Sequence, residues 1–198
     1  MYKPSVEEIK KLRETTFAPM IQCKEALAVN EGDFKKALAW LAEKGLTKAA
    51  AKSERMTGAG AIDSYIHNGS QVGVLLDIRC ETDFVARNEE FKKLSHDLCL
   101  QIASMNPSWV SREDVSEEMI TERKTAWEKE LQEQGKPKEM FDKIVQGKLD
   151  GFYKENCLLN QLYFKDESGK MTVQDLISQV IAKTGENIKI AKFSRFAI

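Results

Sequence analysis

Thr82-Asp83-Phe84-Val85 is the stretch of this chain whose residue types most invite a functional reading. It follows a run that alternates apolar and other residues, and it precedes a helical pattern, so it stands at the mouth of a strand-to-helix turn. An acidic residue followed by a large apolar one, at such a turn, could push into a crevice of another protein. The bland reading of Phe84 is a ring packed beneath its own turn, and the residues alone leave both open.

The other candidates for chemistry are weak. Cys23, Cys80, Cys99 and Cys157 are far apart and form no CxxC pair, and His67 and His96 cannot complete a recognisable zinc signature with them. Each cysteine reads as a small hydrophobe in a reduced compartment. Thr57-Gly58-Ala59-Gly60-Ala61 contains GxG but lacks the third glycine, and a strand rather than a helix follows it, so it is not a dinucleotide fingerprint. There is no GxxxxGK[ST] loop, and no Ser-His-Asp, Cys-His or paired-carboxylate arrangement stands out. The expectation is a protein that is not an enzyme and carries no cofactor of its own.

The elements that must position the turn can be read on either side of it. Val72, Val74, Leu76 and Ile78 alternate as a strand, opposed by Ile62, Ser64 and Ile66 across Asn68-Gly69. A loop of odd length, aligning Ile66 with Val72 and Ile62 with Leu76, gives the better pairing of apolar side chains. Asn88 can cap the next helix, whose buried face is Phe91, Leu94, Leu98, Ile102 and Met105, with Asn106-Pro107 at its end. Residues 116–134 are highly charged, with Ile120, Trp127 and Leu131 as sparse anchors. Gly135-Lys136-Pro137 turns the chain into a second helix striped by Phe141, Ile144, Val145, Leu149 and Phe152, making a helical hairpin. Leu158 to Phe164 reads as a strand. Thr172 caps a helix with Val173, Leu176, Ile177, Val180 and Ile181 inward and Gly185 past its end. Asn187 to Ile198 closes as a strand, in which Phe193 and Phe196 fall out of phase with Ile188 and Ile190, the mark of a bulge or change of face.

The start of the chain is different. Ser5 and Glu8 form a capping box ahead of Val6, Ile9 and Leu12 at helical spacing. Pro19 suits the first turn of a second helix carrying Met20, Cys23 and Leu27. Asp33 caps a third, with Phe34, Leu38 and Leu41 inward and Gly45 as its stop. Residues 46–57, with Lys48, Lys52 and Arg55 among alanines, read as a connector. The fold class is α+β: a helical N-terminal bundle, then an antiparallel sheet covered by helices.

Bulk composition bounds the partners. The chain has 198 residues, with 30 basic against 31 acidic side chains, without the basic excess of a dedicated nucleic-acid binder. No run is apolar and long enough for a transmembrane helix. The start, Met1-Tyr2-Lys3-Pro4-Ser5, has neither a secretory core nor transit-peptide character, so the expectation is a cytoplasmic protein touching neither membrane nor nucleic acid.

Two blocks then point to a family. One is Lys10-Lys11-Leu12-Arg13-Glu14-Thr15, Met20, Cys23-Lys24-Glu25-Ala26-Leu27, Gly32-Asp33, Ala37, Trp40-Leu41 and Lys44-Gly45. The other is Glu81-Thr82-Asp83-Phe84-Val85-Ala86-Arg87-Asn88, with the ending Thr184-Gly185-Glu186-Asn187-Ile188. In this order they resemble the elongation factor Ts family, in its short form with a single copy of the core unit. Where the family usually has Thr-Gly-Ala-Gly-Met-Met-Asp-Cys, this chain has Thr16-Phe17-Ala18-Pro19-Met20-Ile21-Gln22-Cys23, so the backbone of that turn differs. The resemblance implies a ubiquitin-associated-like three-helix docking domain over residues 1–46, a linker over 47–57, and an α+β core over 58–198 that includes the hairpin at about 116–154. It implies guanine nucleotide exchange on elongation factor Tu, whose own magnesium and GDP are dislodged. Thr82, Asp83, Phe84 and Val85 would work at the magnesium site, and Leu12, Arg13, Met20 and Ile21 would grip a second face of the GTPase. For Leu12 and Met20 the core stripe of their helices remains the competing role. The oligomeric state is left open: a single core copy could pair with a second copy of the chain, through the hairpin or an exposed strand edge. The rival reading is a ubiquitin-associated-like protein-binding module joined to a dimerisation domain.

Overall fold

A computed structural model describes residues 2–16, 20–42 and 55–198. The expected roles of Pro19, Gly45 and most of the connector, residues 47–54, lie outside the described residues. The architecture is mixed helix and antiparallel sheet, the α+β class expected. The chain forms two compact units. One comprises Met1–Gly60, Arg79–Arg87 and Ser178–Lys189, the other Ala61–Ile78, Asn88–Ile177 and Ile190–Ile198.

The first unit contains a small helical bundle. Helix α1 (Val6–Thr16) starts in the expected capping box: Glu8 accepts the Ser5 amide at 2.7 Å, and the Ser5 hydroxyl accepts the Glu8 amide at 3.2 Å. Helix α2 (Met20–Val29) ends where Gly32 adopts φ +84°. A side chain at Gly32 would be strained there, and its Cβ would lie 2.6 Å from the Tyr2 ring. Asp33 then caps α3 (residues 34–42) by accepting the amides of Lys35 and Lys36 at 3.0 and 3.1 Å. Ile9, Leu12, Cys23, Ala26, Leu27, Ala37 and Leu41 form the bundle core, with Phe34, Leu38 and Trp40 packed against it.

The second unit carries the sheet, ordered β1-β2-β3, from β1 (Ala59–Ile66), β2 (Val72–Cys80) and β3 (Ile188–Ala197). Its register differs from the expected one. The His67 amide donates to the Val72 carbonyl at 2.8 Å, which sets Ile66 opposite Gly73 rather than Val72. The connection is therefore even in length, with Gly69 at φ +79° and Ser70 at φ +58°. A one-residue shift exchanges the two faces of a strand. Ile62 and Ile66 accordingly lie on the exposed face, while Ala61, Asp63 and Tyr65 share the covered face with Val74, Leu76 and Ile78. The phase change in β3 is present: Ile188 and Ile190 turn inward, residues 191 and 192 are both exposed, and Phe193 and Arg195 turn inward again.

Helix α5 (Glu89–Met105) covers the inner face. Asn88 caps it by accepting the Glu90 amide at 2.8 Å, and Phe91, Leu94, Leu98 and Ile102 are buried as expected. Met105, expected on the same stripe, is about half exposed because the helix ends beside it at Asn106, which has a left-handed backbone. Arg195 of β3 donates to the Ala103 carbonyl of α5, and the His96 ring meets the Tyr65 ring edge-on at 6.0 Å. Helices α6 (Glu117–Glu133) and α7 (Phe141–Asn156) form the expected hairpin, with Lys148 reaching Glu130 at 2.6 Å. Trp109, Met119, Ile120, Trp127 and Tyr153 pack on a buried cluster of Val115, Leu149, Phe152 and Cys157.

The expected strand from Leu158 to Phe164 does not form. Leu158–Asn160 is a short 3₁₀ turn, and the only pairings nearby are single bridges, Trp109 with Cys157 and Leu162 with Thr172. Two buried glutamines explain this. Gln101 donates to the Leu162 carbonyl and accepts the Phe164 amide, while Gln161 donates to the carbonyls of Met105 and Glu155. Side-chain amides thus satisfy backbone groups that a neighbouring strand would otherwise meet. Helix α8 (Val173–Thr184) begins in a Thr172–Asp175 capping box and ends at Gly185, φ +79°.

All four cysteines are buried free thiols, and burial pushes Cys99 up to about 12 and Cys157 up to about 11. Asp97, itself buried, accepts hydrogen bonds from the Tyr163 hydroxyl at 2.9 Å and the Lys165 ammonium at 2.6 Å. Replacing Asp97 by Ala leaves both donors without their acceptor. A stability loss of about 2 kcal/mol is expected in urea unfolding. A loss under about 0.5 kcal/mol would show that water serves these donors equally well.

Candidate functional site

Strand β2 delivers the chain to the turn with Val74, Leu76, Ile78 and Cys80 buried. The Cys80 thiol donates to the Thr82 carbonyl at 3.1 Å. Burial raises that thiol's pKa, and the Glu186 carboxylate raises it further. The next two residues are fastened to the turn that follows α8. Glu81 accepts the Asn187 amide at 2.7 Å and lies 3.5 Å from the Arg55 guanidinium. Asn187 in turn donates through its side chain to the Arg55 carbonyl at 3.2 Å. Glu186 accepts both the Thr82 amide, at 3.0 Å, and the Thr82 hydroxyl, at 2.6 Å.

Thr82 is the N-cap of α4 (Asp83–Ala86), a single helical turn, and its backbone is extended at φ −128°, ψ 159°. Its hydroxyl does not cap the helix, because it is committed to Glu186. Successive helical residues point about 100° apart. Val85 takes the inward direction and is buried, so its neighbour Phe84 is sent outward and is 82% exposed. Asp83 is exposed and pairs with Arg87 one turn on, at 2.9 Å. Of the four residues expected at this site, three therefore present themselves to solvent, and Val85 is the anchor beneath them.

The second expected patch is placed only in part. Arg13 lies on α1, and Met20 and Ile21 open α2, but their side chains lie outside the described residues. Leu12 is fully buried in the bundle core. Direct contact of Leu12 with a partner is thereby corrected: its helical spacing with Ile9 carries it into the core, the competing role its stripe allowed.

The two histidines make no centre of their own. The Tyr65 hydroxyl and His67 Nδ1 are 3.0 Å apart, and His96 packs on the same ring. Among the described residues no group of three or more His, Cys, Asp or Glu side chains could hold a metal ion. Among the same residues, no helix is long and apolar enough to cross a membrane. What the turn offers is a fixed, solvent-facing aromatic ring with a carboxylate at its side.

Comparison with known proteins decides the family. The model described as elongation factor TS matches residues 7–172. The chain is 50% identical over 194 residues to elongation factor Ts of Petrotoga mobilis, covering 98% of each chain. It is 46% identical to elongation factor Ts of Fervidobacterium nodosum over 194 residues, again 98% of each. The chain belongs to the elongation factor Ts family. Glu186, Asn187 and Arg55 fasten the turn, and reading along the chain did not single them out for that. Glu186 lies 104 residues from Thr82, a separation at which no local spacing signals contact.

The division of labour between neighbours is testable in melting experiments. Phe84→Ala should shift stability by no more than about 0.5 kcal/mol, since an exposed ring leaves little behind. Val85→Ala should cost roughly 1.5 kcal/mol, two buried carbons' worth. The reverse order would place Phe84 inside the fold and Val85 outside it.

Proposed function

We propose that this member of the elongation factor Ts family is a guanine nucleotide exchange factor for elongation factor Tu. The observation that carries the reading is the 82% exposure of Phe84 on a turn whose neighbours are buried or clasped. A ring held outward by buried and hydrogen-bonded neighbours is available to another surface without rearrangement.

The mechanism is mechanical and electrostatic. A GTPase holds its nucleotide through backbone amides, a lysine and a magnesium ion that bridges the phosphates. Phe84 wedges between elements of the partner beside that ion. Asp83 takes hydrogen-bond donors there, and the network behind the magnesium is disturbed. Once the ion leaves, the phosphate charge is poorly neutralised and GDP escapes faster. Thr82 and Val85 hold the wedge from behind. The magnesium and nucleotides belong to the partner; this chain supplies no cofactor, performs no covalent step, and works in the cytoplasm without touching nucleic acid or membrane.

Linkage sets the terms. If the chain lowers the partner's affinity for GDP by some ratio, GDP lowers the partner's affinity for the chain by the same ratio. The chain must therefore bind the nucleotide-free partner best, and incoming GTP expels it. Arg13, Met20 and Ile21, on a docking domain of residues 1–46, grip a second face of the GTPase, with Leu12 supporting them from the core. The connector 47–57 joins this domain to the core of residues 58–198.

The direct test is release of labelled GDP from purified elongation factor Tu. The full chain should accelerate release, and Phe84→Ala should lose most of that acceleration, weakening binding by ~2 kcal/mol or more if the ring is a hot spot. Asp83→Ala should also slow release. Equal release with and without the wild-type chain would remove the reading.

A second copy of the chain is the other partner we propose. Ile62, Ile66, Leu75 and Phe196 are all exposed on one face of the sheet, 51–69% each. The Ile198 amide donates to the Gln71 carbonyl, a register that sets Phe196 across from Gly73 and so in line with Ile66. The same registers set Asp77 opposite Ile62 and Lys192 across from Asp77, so an apolar row with one charge of each sign at its end meets its own copy across a two-fold axis. Sedimentation should give a dimer for the wild type and a monomer for Leu75→Glu with Phe196→Glu. A wild-type monomer at tens of micromolar would exclude this partner.

A further inference from the structure

We infer that Glu186 is a positioning residue for the exchange turn, acting on Phe84 and Asp83 through Thr82. The inference rests on the exchange reading above and deepens it. Glu186 is half-buried and follows Gly185, the residue whose left-handed backbone ends α8. Its two oxygens divide their work: one accepts the Thr82 amide, the other the Thr82 hydroxyl. A bidentate grip on one residue fixes an orientation as well as a distance. The residue it grips is the N-cap of α4, where the chain changes from extended to helical, and Asp83 and Phe84 are the first two residues beyond it.

The grip is reciprocal. Glu186 holds Thr82 while Glu81 holds the amide of Asn187, so two consecutive residues on each side are tied across the gap. Such a clasp resists rotation about either single contact. A one-turn helix has almost no internal rigidity, since its hydrogen bonds are few, here Ala86 to Thr82 and Arg87 to Asp83, each 3.2 Å. The direction in which Phe84 leaves the body is consequently set from outside α4. Thr82, as N-cap, would ordinarily spend its hydroxyl on the helix's own amides. Here it is spent on Glu186, which exchanges a cap for a tether.

These contacts lie near the surface, and near-surface hydrogen bonds contribute little to global stability. A positioning role and a merely structural one therefore predict different outcomes. Glu186→Ala, in the full chain, should melt close to the wild type yet accelerate GDP release from elongation factor Tu roughly tenfold less at saturating concentration, the scale of loss that a small misplacement produces. Glu186→Gln keeps one carbonyl acceptor and should fall between the two. Thr82→Ser keeps the tethering hydroxyl and should lose markedly less exchange than Thr82→Val, which removes it. In a double-mutant cycle, Phe84→Ala should cost markedly less in the Glu186→Ala background than in the wild type, because a misdirected ring has little left to lose.

Exchange by Glu186→Ala within about twofold of the wild type, while Phe84→Ala is impaired, overturns the positioning role and leaves the exchange reading standing. Losses at Glu186 and Phe84 that simply multiply overturn it too. Failure of the wild-type chain itself to accelerate release removes the exchange reading, and the positioning role with it. Should Glu186→Ala not fold, the Thr82→Ser and Thr82→Val pair decides: equal rates for the two overturn the inference.

Discussion

The structure turns on a constraint at one corner of the chain: Val85 must be buried while Phe84, one residue away, must not be. A helical turn separates adjacent side chains by about 100°, so fixing one fixes the other. Four residues cannot enforce this alone, and the fold supplies what is missing at both ends. Cys80 and Glu81 hold the entry, Glu186 holds Thr82, and Asn88 starts the next helix. The turn is thus ordered in the chain by itself. Ordering a backbone residue costs on the order of 1–2 kcal/mol, and a preformed turn spares that cost in any contact it makes.

The same corner shows how a carboxylate can be kept ready without being locked away. Asp83 pairs with Arg87 in the isolated chain, but both side chains are mostly exposed, 58% and 78%. Exposed pairs of this kind are worth about 1 kcal/mol or less, so Asp83 can leave Arg87 for other donors at small cost. The contrast with Asp97 is instructive. That carboxylate is buried, with two donors of its own, and is committed to holding the second unit together. Two aspartates in one chain thus divide into a buried, firmly held group and an exposed, weakly paired one.

What the sequence disclosed follows the range of the interaction. Caps and stops act over three or four residues, and the boxes at Ser5–Glu8 and Thr172–Asp175, the caps at Asp33 and Asn88, and the stop at Gly185 were all legible. The out-of-phase end of β3 was legible for the same reason. The expected strand and hairpin register failed, and one contact lay out of reach of any local pattern. Residues 158–164 carry strand-like side chains, yet Gln101, some sixty positions earlier, meets their backbone in place of a strand. The hairpin register favoured by apolar pairing was displaced by one residue, a slip that turned Ile62 and Ile66 outward. Glu186 was visible only as part of a family-like ending, because nothing local to it announces Thr82. Whether Leu12 faced the core or a partner was undecidable from spacing, since both roles use the same stripe; its complete burial decides it.

The register slip and the missing strand bear on one another. A fourth strand from residues 158–164 would have extended the sheet, and the odd-length hairpin would have put Ile62 and Ile66 in the core. With neither in place, the sheet stays at three strands, and an apolar row of Ile62, Ile66, Leu75 and Phe196 is left on the face away from α5. Such a row is costly for an isolated chain, because contiguous exposed apolar area favours association. The two departures from the expected fold therefore act in the same direction. They keep the second unit small and leave a surface that a second apolar face would complete. Phe84 is a point contact by comparison: one ring on a clasped corner. The chain thus exposes apolar area in two forms, a row of four side chains on one face of the sheet and a single ring on a turn.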